Sequence, residues 1–297
     1  TGEPYLHFVD TSNKSLPETQ KKLGLSIKQS NLCSEITLPT DEDRTAVCCL
    51  SSVNLAKYDE WSTSPTFIPD MVRMLDNVLE HFIQATYDFS YDYKGEVLDM
   101  KVKEGMEGFT KAGYSAYRER SLGLGAMGFH TYLQKLNVPF EGPIATGQNL
   151  KMFKQIKELA NKTSMELAEE RGEAPDMEGT GMRNAHLLAV APNATSSIIC
   201  GGTSPSIEPI RANVFIHKTL NGSFQVRNRQ LHNLLKQKWN NSEELQKEYD
   251  SDYQHFKDKI WQSISENTGS VKHLDFLTDL EKDVFKTADE IDQNWVI

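Results

Sequence analysis

The chain has 297 residues, and its 42 acidic side chains outnumber its 32 lysines and arginines, which gives a formal net charge of −10. This length predicts one or two domains with a well-buried core, and the acidic balance excludes a general electrostatic surface for nucleic acid. No run approaches the roughly 18 apolar residues of a transmembrane helix. Four cysteines are too few for a disulfide scaffold, so we expect a protein of the reducing cytoplasm.

Short runs rich in β-branched or aromatic residues predict strands near the start of the chain. They cover residues 5–10 and 33–38, while residues 47–55 alternate loosely and fit either a third strand or a loop. After Pro69, apolar residues recur at three- and four-residue intervals and predict a helix over residues 71–83.

The middle of the chain is predicted to be mainly helical. Residues 114–135 and 146–171 carry apolar stripes at helical spacing, and Gly172 is a typical end for the second helix. Residues 173–185 predict a loop, and the apolar run 187–191 predicts a buried strand of the kind that parallel sheets require.

Beyond Pro209 the chain becomes polar, and its apolar residues return at helical spacing. Helices are predicted over residues 231–239, 247–262 and 279–287. Strands joined by long helices indicate an α/β architecture, although this pattern does not separate an open sheet from a barrel.

The first candidate site combines an amide, a thiol and a carboxylate at alternate positions. In an extended chain Asn31, Cys33 and Glu35 would share one face. The carboxylate could act as a base, the amide could orient a hydroxyl, and the sulfur could be a nucleophile or a radical. The alternative is a half-exposed strand with a chance cysteine on its polar face.

The second candidate site is the adjacent pair Cys48 and Cys49. On a strand they would face opposite sides, so at most one could reach the Cys33 site. The chain has no Cys-x-x-Cys motif and no histidine at ligand spacing, which disfavours zinc. Buried structural cysteines are the alternative.

The third candidate site is the run of small and hydroxyl residues from Pro192 to Ser197, directly after the predicted buried strand. Free backbone N–H groups and hydroxyls at a helix start suit an anion such as a nucleotide phosphate. The chain lacks a lysine-based Walker loop. An ordinary capped helix start is the alternative.

Four motifs become specific when they occur in this order. They occupy residues 30–36 (Ser-Asn-Leu-Cys-Ser-Glu-Ile), 46–51 (Ala-Val-Cys-Cys-Leu-Ser), 121–129 (Ser-Leu-Gly-Leu-Gly-Ala-Met-Gly-Phe) and 191–197 (Ala-Pro-Asn-Ala-Thr-Ser-Ser), the last followed by Ser-Ile-Glu-Pro at 206–209. On these motifs the chain resembles the catalytic large subunit of aerobic, class I ribonucleotide reductase.

The resemblance implies a fold and a place in it. The chain would form the second half of a ten-stranded α/β barrel, with a central finger loop carrying the reactive cysteine. Residues 1–297 would all belong to the catalytic barrel, with the motifs in residues 1–211 and a mostly helical continuation over 212–297.

The resemblance also implies residue roles. Cys33 would be the thiyl radical that removes the 3′ hydrogen of the ribose, Glu35 the base on the 3′ hydroxyl, and Asn31 a hydrogen-bonding partner of the substrate. Cys48 would belong to the redox-active pair, although its neighbour Cys49 leaves open which of the two faces the substrate. The implied substrate-binding residues are Asn31, Leu32, Cys33, Ser34, Glu35, Pro192, Asn193, Ala194, Thr195 and Ser196.

The implied partners are a ribonucleoside diphosphate, a metal-containing small subunit that supplies the radical, and a thioredoxin- or glutaredoxin-type reductant. No cofactor or metal would be held by this chain. No cysteine precedes Cys33 to pair with Cys48, and no adjacent tyrosines are present for radical relay. We therefore expect one piece of a split or processed large subunit, inactive alone. Thr1 fits an intein junction, and an experimental fragment fits equally.

Three alternatives remain open on the sequence. The chain could belong to the cobalamin-dependent branch of the same superfamily, or it could be a non-catalytic half-barrel that completes a partner. It could also be a cysteine hydrolase that uses Cys33 with a distant histidine, although none of the eight histidines lies in a recognisable motif. His130, His186 and His217 are interpreted as packing or surface residues.

Overall fold

A computed structural model describes residues 5–47, 49–93, 97–220 and 222–296. The chain divides into two compact units. Unit 1 comprises Thr1–Val53, Trp61–Gly125 and Phe153–Ala191, and unit 2 comprises Asn54–Glu60, Ala126–Met152 and Pro192–Ile297.

Helices and short strands alternate along the chain. Up to the end of the longest helix the elements are α1 (Val9–Lys14), α2 (Glu18–Lys22), β1 (Cys49–Asn54), α3 (Tyr58–Trp61), α4 (Phe67–Thr86), β2 (Tyr87–Tyr91), β3 (Val97–Val102), α5 (Thr110–Glu119), β4 (Leu122–Met127), α6 (Phe129–Lys135) and α7 (Pro143–Arg171). The remaining elements are α8 (Ala194–Ile199), β5 (Val214–Thr219), β6 (Gly222–Arg227), α9 (Arg229–Asn241), α10 (Glu243–Glu248), α11 (Tyr253–Glu266) and α12 (Asp279–Val284).

The first four residues of β4, Leu122–Gly125, belong to unit 1, and all six positions of the strand are buried. It pairs with β1. Along its other edge, the Leu122 and Leu124 N–H groups donate to the carbonyls of His186 and Leu187, each at 2.9 Å, and Leu124 forms a parallel bridge with Leu188. The predicted buried strand at 187–191 is therefore present only as this short parallel pairing.

Two long helices pack the core of unit 1. The predicted helix over 71–83 is confirmed as the interior of α4, where Val72, Leu75, Leu79 and Ile83 are buried at helical spacing. The predicted helix over 146–171 is confirmed as α7, which ends before Gly172 at a φ of +83°.

The core of unit 2 lies between α9, α11 and the segment after α11. Its largest fully buried side chains are Phe256 and Trp261, and α9 contributes Leu231 and Leu235. The helical continuation after residue 212 is confirmed for α9 to α12. It is wrong for 214–227, where β5 and β6 form an antiparallel hairpin.

Two strands predicted near the start are absent. Residues 5–10 run into α1, which begins at Val9. Residues 33–38 contain no strand, because Ser34 takes a φ of +64° and the chain turns there. Of the two alternatives left open for residues 47–55, the structure shows the strand, which is β1 (Cys49–Asn54).

The predicted helix over 114–135 is wrong in its middle, where β4 replaces it. Arg120 adopts a left-handed conformation that ends α5, and Gly128, at a φ of +85°, precedes α6. A fully buried strand and a buried helix show the same apolar run, so spacing alone does not separate them. Gly125 approaches the Ala189 carbonyl so closely that no side chain fits.

Within the described ranges, no helix is both long enough and apolar enough to cross a bilayer. The longest, α7, carries charged side chains along its length.

Gly125→Ala is expected to lower the free energy of unfolding by about 1–3 kcal/mol, since its new Cβ collides with the Ala189 backbone in a packed core. Gly108→Ala is the matched control, because no atom lies within 4 Å of its added Cβ. Urea unfolding of both variants measures the difference. Equal stability of the two variants would contradict the close approach of β4 to residue 189.

Candidate active site

The Asn31–Ile36 segment is a turn closed by the Asn31 side chain. Asn31 Nδ2 donates to Glu35 Oε2 at 2.7 Å, while Asn31 Oδ1 accepts from the Ile36 N–H at 3.0 Å. The Ser34 N–H donates to the Asn31 carbonyl at 3.1 Å. The structure thus brings the predicted amide and carboxylate together, but through a turn and not through strand alternation.

Cys33 lies inside this turn, between the two hydrogen-bonded partners. Cys33 is exposed, and so are the residues on either side of it, Leu32 and Ser34. An exposed thiol flanked by an oriented carboxylate can meet a substrate that approaches from outside unit 1. A finger loop inside a barrel stays a prediction.

The second cysteine site is described only in part, since Cys48 lies outside the described residues. Cys49 is half-buried at the start of β1. Burial raises the pKa of the Cys49 thiol, and the negative charge of Asp76 raises it further. Cys49 is therefore held as a neutral thiol at neutral pH.

Glu35 lines a small cavity in unit 1, of about 40 Å³. Its wall is formed by Glu35, Ile36, Thr37, Leu38, Leu122, His186, Leu188 and Ala189. The pairing of β4 with residues 186–189 places His186 at this cavity. The sequence predicts only a packing or surface role for His186, and no motif marks this residue.

A buried hydrogen-bond chain runs away from this cavity. His186 Nε2 lies 3.4 Å from Gln20 Oε1, and Gln20 Nε2 donates to Glu119 Oε2 at 3.3 Å. Glu119 also accepts from the hydroxyls of Ser115 at 2.8 Å and Ser121 at 3.0 Å. Gln20, Ser115, Glu119 and Ser121 are all completely buried.

Burial shifts the pKa values of the two titratable groups, Glu119 and His186, at the ends of this hydrogen-bond network. It raises the pKa of Glu119 to about 7, against the opposing effect of its three hydrogen bonds and the Arg44 charge. It lowers the pKa of His186 to about 4, so the imidazole is neutral at neutral pH. Sequence periodicity gives no signal for either shift.

The predicted phosphate loop lies in unit 2. Asn193 is left-handed, with a φ of +55°, and its side-chain N–H donates to the Ala126 carbonyl at 3.3 Å. The short helix α8 follows, and its Ala194, Thr195 and Ser196 side chains are exposed. The hydroxyls and N–H groups of the predicted loop are thus presented at the surface of this unit.

A second loop, residues 200–206, supports the phosphate loop inside unit 2. Thr203 N donates to the Ser197 carbonyl at 3.0 Å, and Gly128 N donates to the Ser204 carbonyl at 2.8 Å. A Cβ on Gly128 would lie 2.7 Å from Asn54 Oδ1. Only glycine fits at this position, so the last glycine of the 121–129 motif, Gly128, is required for steric reasons.

The turn at Asn31–Glu35 belongs to unit 1 and the loop at 192–196 to unit 2. Their union in one substrate site stays a prediction. Among the residues that the structure describes, no group of three or more His, Cys, Asp or Glu side chains is arranged to hold a metal ion.

Known proteins resemble the whole of this chain. The family model described as the ribonucleotide reductase barrel domain matches residues 1–180 and 176–297. The ribonucleoside-diphosphate reductase large subunit of Invertebrate iridescent virus 3 is 47% identical over 293 residues, which cover 99% of this chain and 42% of the relative. The putative large subunit of Frog virus 3 is 44% identical over 297 residues, or 100% of this chain and 47% of the relative.

The structural comparison agrees. The class Id ribonucleotide reductase alpha subunit of Actinobacillus ureae superposes with a TM-score of 0.81 at 37% identity, over 100% of this chain and 49% of that one. The chain belongs to the ribonucleotide reductase barrel-domain family, and its α/β architecture is confirmed as that of this barrel. It spans less than half the length of these three relatives.

Glu119→Gln is expected to change how stability depends on pH. A raised pKa means that the folded state binds the Glu119 proton more tightly than the unfolded state does. The resulting contribution to the free energy of unfolding is fully present below pH 4.5 and is lost as pH rises through about 7. Relative to Glu119→Gln, the parent protein should lose roughly 3 kcal/mol of unfolding free energy across that window.

Urea unfolding at a series of pH values measures this difference. The lowered pKa values of His130 and His186 act in the opposite direction, but both proteins share them, so the difference isolates Glu119. The control is Glu158→Gln, on an exposed glutamate of α7. A constant difference between parent and Glu119→Gln from pH 4 to pH 8 would contradict the buried-carboxyl account.

Proposed function

We propose that this chain is the radical-bearing part of a large subunit that reduces ribonucleoside diphosphates to deoxyribonucleoside diphosphates. The observation that carries the proposal is the 2.7 Å hydrogen bond from Asn31 to Glu35 around the exposed Cys33. Membership of the reductase family supports the reaction class.

The residues divide the chemistry between them. A thiyl radical on Cys33 removes the 3′ hydrogen atom of the ribose, and Glu35 takes the proton of the 3′ hydroxyl. Asn31 orients the Glu35 carboxylate and the substrate hydroxyl. Such a step needs the ribose held in contact with the sulfur, since proximity supplies much of the rate.

Reduction of the ribose needs two electrons. A dithiol supplies them: the C2′–O bond breaks, the oxygen leaves as water, hydrogen replaces it, and the two thiols become a disulfide. We assign one of these thiols to Cys48. Its partner thiol would come from the rest of the large subunit.

Residues Pro192 to Ser196 are proposed to hold the diphosphate of the substrate. The exposed hydroxyls of Thr195 and Ser196 and the backbone N–H groups of this loop suit phosphate oxygens. The left-handed Asn193, anchored to the Ala126 carbonyl, fixes how the loop is presented.

The proposed partners follow from the same assignment. They are the remainder of the large subunit, a small subunit that generates the radical on its own metal centre, and a thioredoxin- or glutaredoxin-type reductant. The likeness to a class Id alpha subunit favours this class over the cobalamin-dependent branch. The low cysteine count and the exposed thiol of Cys33 suit a reducing compartment, and we place the protein in the cytoplasm.

Cys33→Ala is expected to abolish turnover of a ribonucleoside diphosphate in the complete complex, a loss of at least about a thousandfold, because no other thiol occupies the Asn31–Glu35 turn. Cys200→Ala is the matched control, since Cys200 is also exposed but lies after α8 in unit 2. Deoxynucleotide formation is measured by chromatography. Turnover that survives Cys33→Ala would place the chemistry on another chain.

Replacement of Thr195 and Ser196 together by alanine is expected to raise KM for the diphosphate roughly tenfold or more while kcat changes little. Each lost hydrogen bond to a charged phosphate is worth about 1.5–3 kcal/mol, and it acts on the bound substrate and the transition state alike. Ile199→Ala, on the exposed last position of α8, is the control. An unchanged KM would remove the loop from the substrate site.

A further inference from the structure

The wall of the Glu35 cavity is tied to a buried carboxyl that the proposed mechanism does not use. Glu119 ends α5, three residues before β4 begins at Leu122. Its backbone carbonyl accepts from the Ala185 N–H at 2.9 Å, and the His186 carbonyl accepts from the Leu122 N–H at 2.9 Å. Glu119 and His186 therefore lie on two backbone segments that are hydrogen-bonded to each other.

The side chains repeat this connection. With Glu119 ionised, its oxygens only accept hydrogen bonds, so the Gln20 side chain turns its NH₂ group towards Glu119. The Gln20 carbonyl oxygen then faces His186 Nε2 at 3.4 Å. Since an amide oxygen can only accept, the hydrogen of the neutral imidazole lies on Nε2 and leaves Nδ1 as an acceptor.

The ring fixed in this way lines the cavity that Glu35 also lines. The cavity is small, at about 40 Å³, and it opens to solvent. The His186 ring and Glu35 therefore share the wall of one small pocket, so the ring's position and tautomer help to set the surroundings of Glu35.

We propose that Glu119 is a positioning residue for Glu35, acting through Gln20 to hold the neutral Nε2–H tautomer of His186 in the wall of the Glu35 cavity. This inference rests on the proposed function, because it takes Glu35 as the base. In this proposal neither Glu119 nor Gln20 touches the substrate. Glu119 orients the Gln20 amide, and the Gln20 amide orients the His186 ring.

The charges around Glu119 come from several neighbouring segments. Arg44 faces it and is itself paired with the buried Asp176, at 3.1 Å between Nη2 and Oδ1. Arg118 binds the same aspartate at 2.9 Å. α2 contributes only the neutral Gln20, and the start of β4 is preceded by the neutral Ser121. Glu119 is thus the ionisable group of this cluster that is coupled to His186.

The test uses the intact large subunit in the complete complex, with Gln20→Leu as the main variant. This substitution keeps the side-chain volume and removes both hydrogen bonds of the amide. We expect kcat to fall about tenfold with KM within twofold, and the pH profile of kcat to lose an inflection near pH 7. The control is Ser121→Ala, which removes one hydrogen bond to Glu119 and keeps the Gln20–His186 contact.

A second readout does not depend on turnover. Nitrogen-15 and carbon-13 shifts of histidine-labelled protein report the tautomer of His186, assigned by comparison with His186→Gln. The Nε2–H form is expected in the parent and in Ser121→Ala, and a mixture is expected in Gln20→Leu. An unchanged tautomer in Gln20→Leu, or equal kinetic losses in Gln20→Leu and Ser121→Ala, would overturn the positioning role.

Glu35→Gln separates the two proposals. Loss of turnover in Glu35→Gln together with a shifted tautomer and a lowered kcat in Gln20→Leu supports both. Full turnover in Glu35→Gln overturns the proposed base and, with it, the positioning of that base. In that case a tautomer that still responds to Gln20→Leu shows the hydrogen-bond chain to be structural only.

Discussion

The buried backbone of β4 is the constraint on which unit 1 depends. Six consecutive positions of this strand are buried, so its N–H and C=O groups need partners from neighbouring segments. β1 supplies one edge and residues 186–189 the other. This second pairing sets the position of His186, and Gly125 allows the two backbones to approach without a side chain between them.

Charged groups inside unit 1 follow the same rule of obligatory partners. Asp76 is completely buried and accepts from Arg183 Nε at 2.9 Å and from Arg171 at 2.9 Å. Asp176 is bound by two arginines in the same way. Glu119 differs, because its hydrogen-bond donors are neutral, and burial therefore dominates its pKa. A buried carboxyl with neutral partners is the one that can change its charge near neutral pH.

The candidate site segments of both units are turns held by amide side chains. Asn31 closes the turn around Cys33 with both ends of its amide, and Asn193 ties the start of α8 to the Ala126 carbonyl. Both asparagines use short side chains to satisfy the backbone where regular secondary structure stops. The exposed side chains of these segments thereby gain a fixed backbone without being buried.

The sequence alone determined the family, the order of the motifs, the long helices α4 and α7, and the residues of the candidate site, because these depend on residue identity and on local helical spacing. It could not determine β4 or the hairpin of β5 and β6, since strand pairing depends on partners distant in the chain. Tertiary structure alone decided that Asn31 and Glu35 meet through a turn. It also decided that His186 lines one pocket with Glu35 and that Gln20 connects His186 to Glu119, because the pairing of distant segments sets these partners.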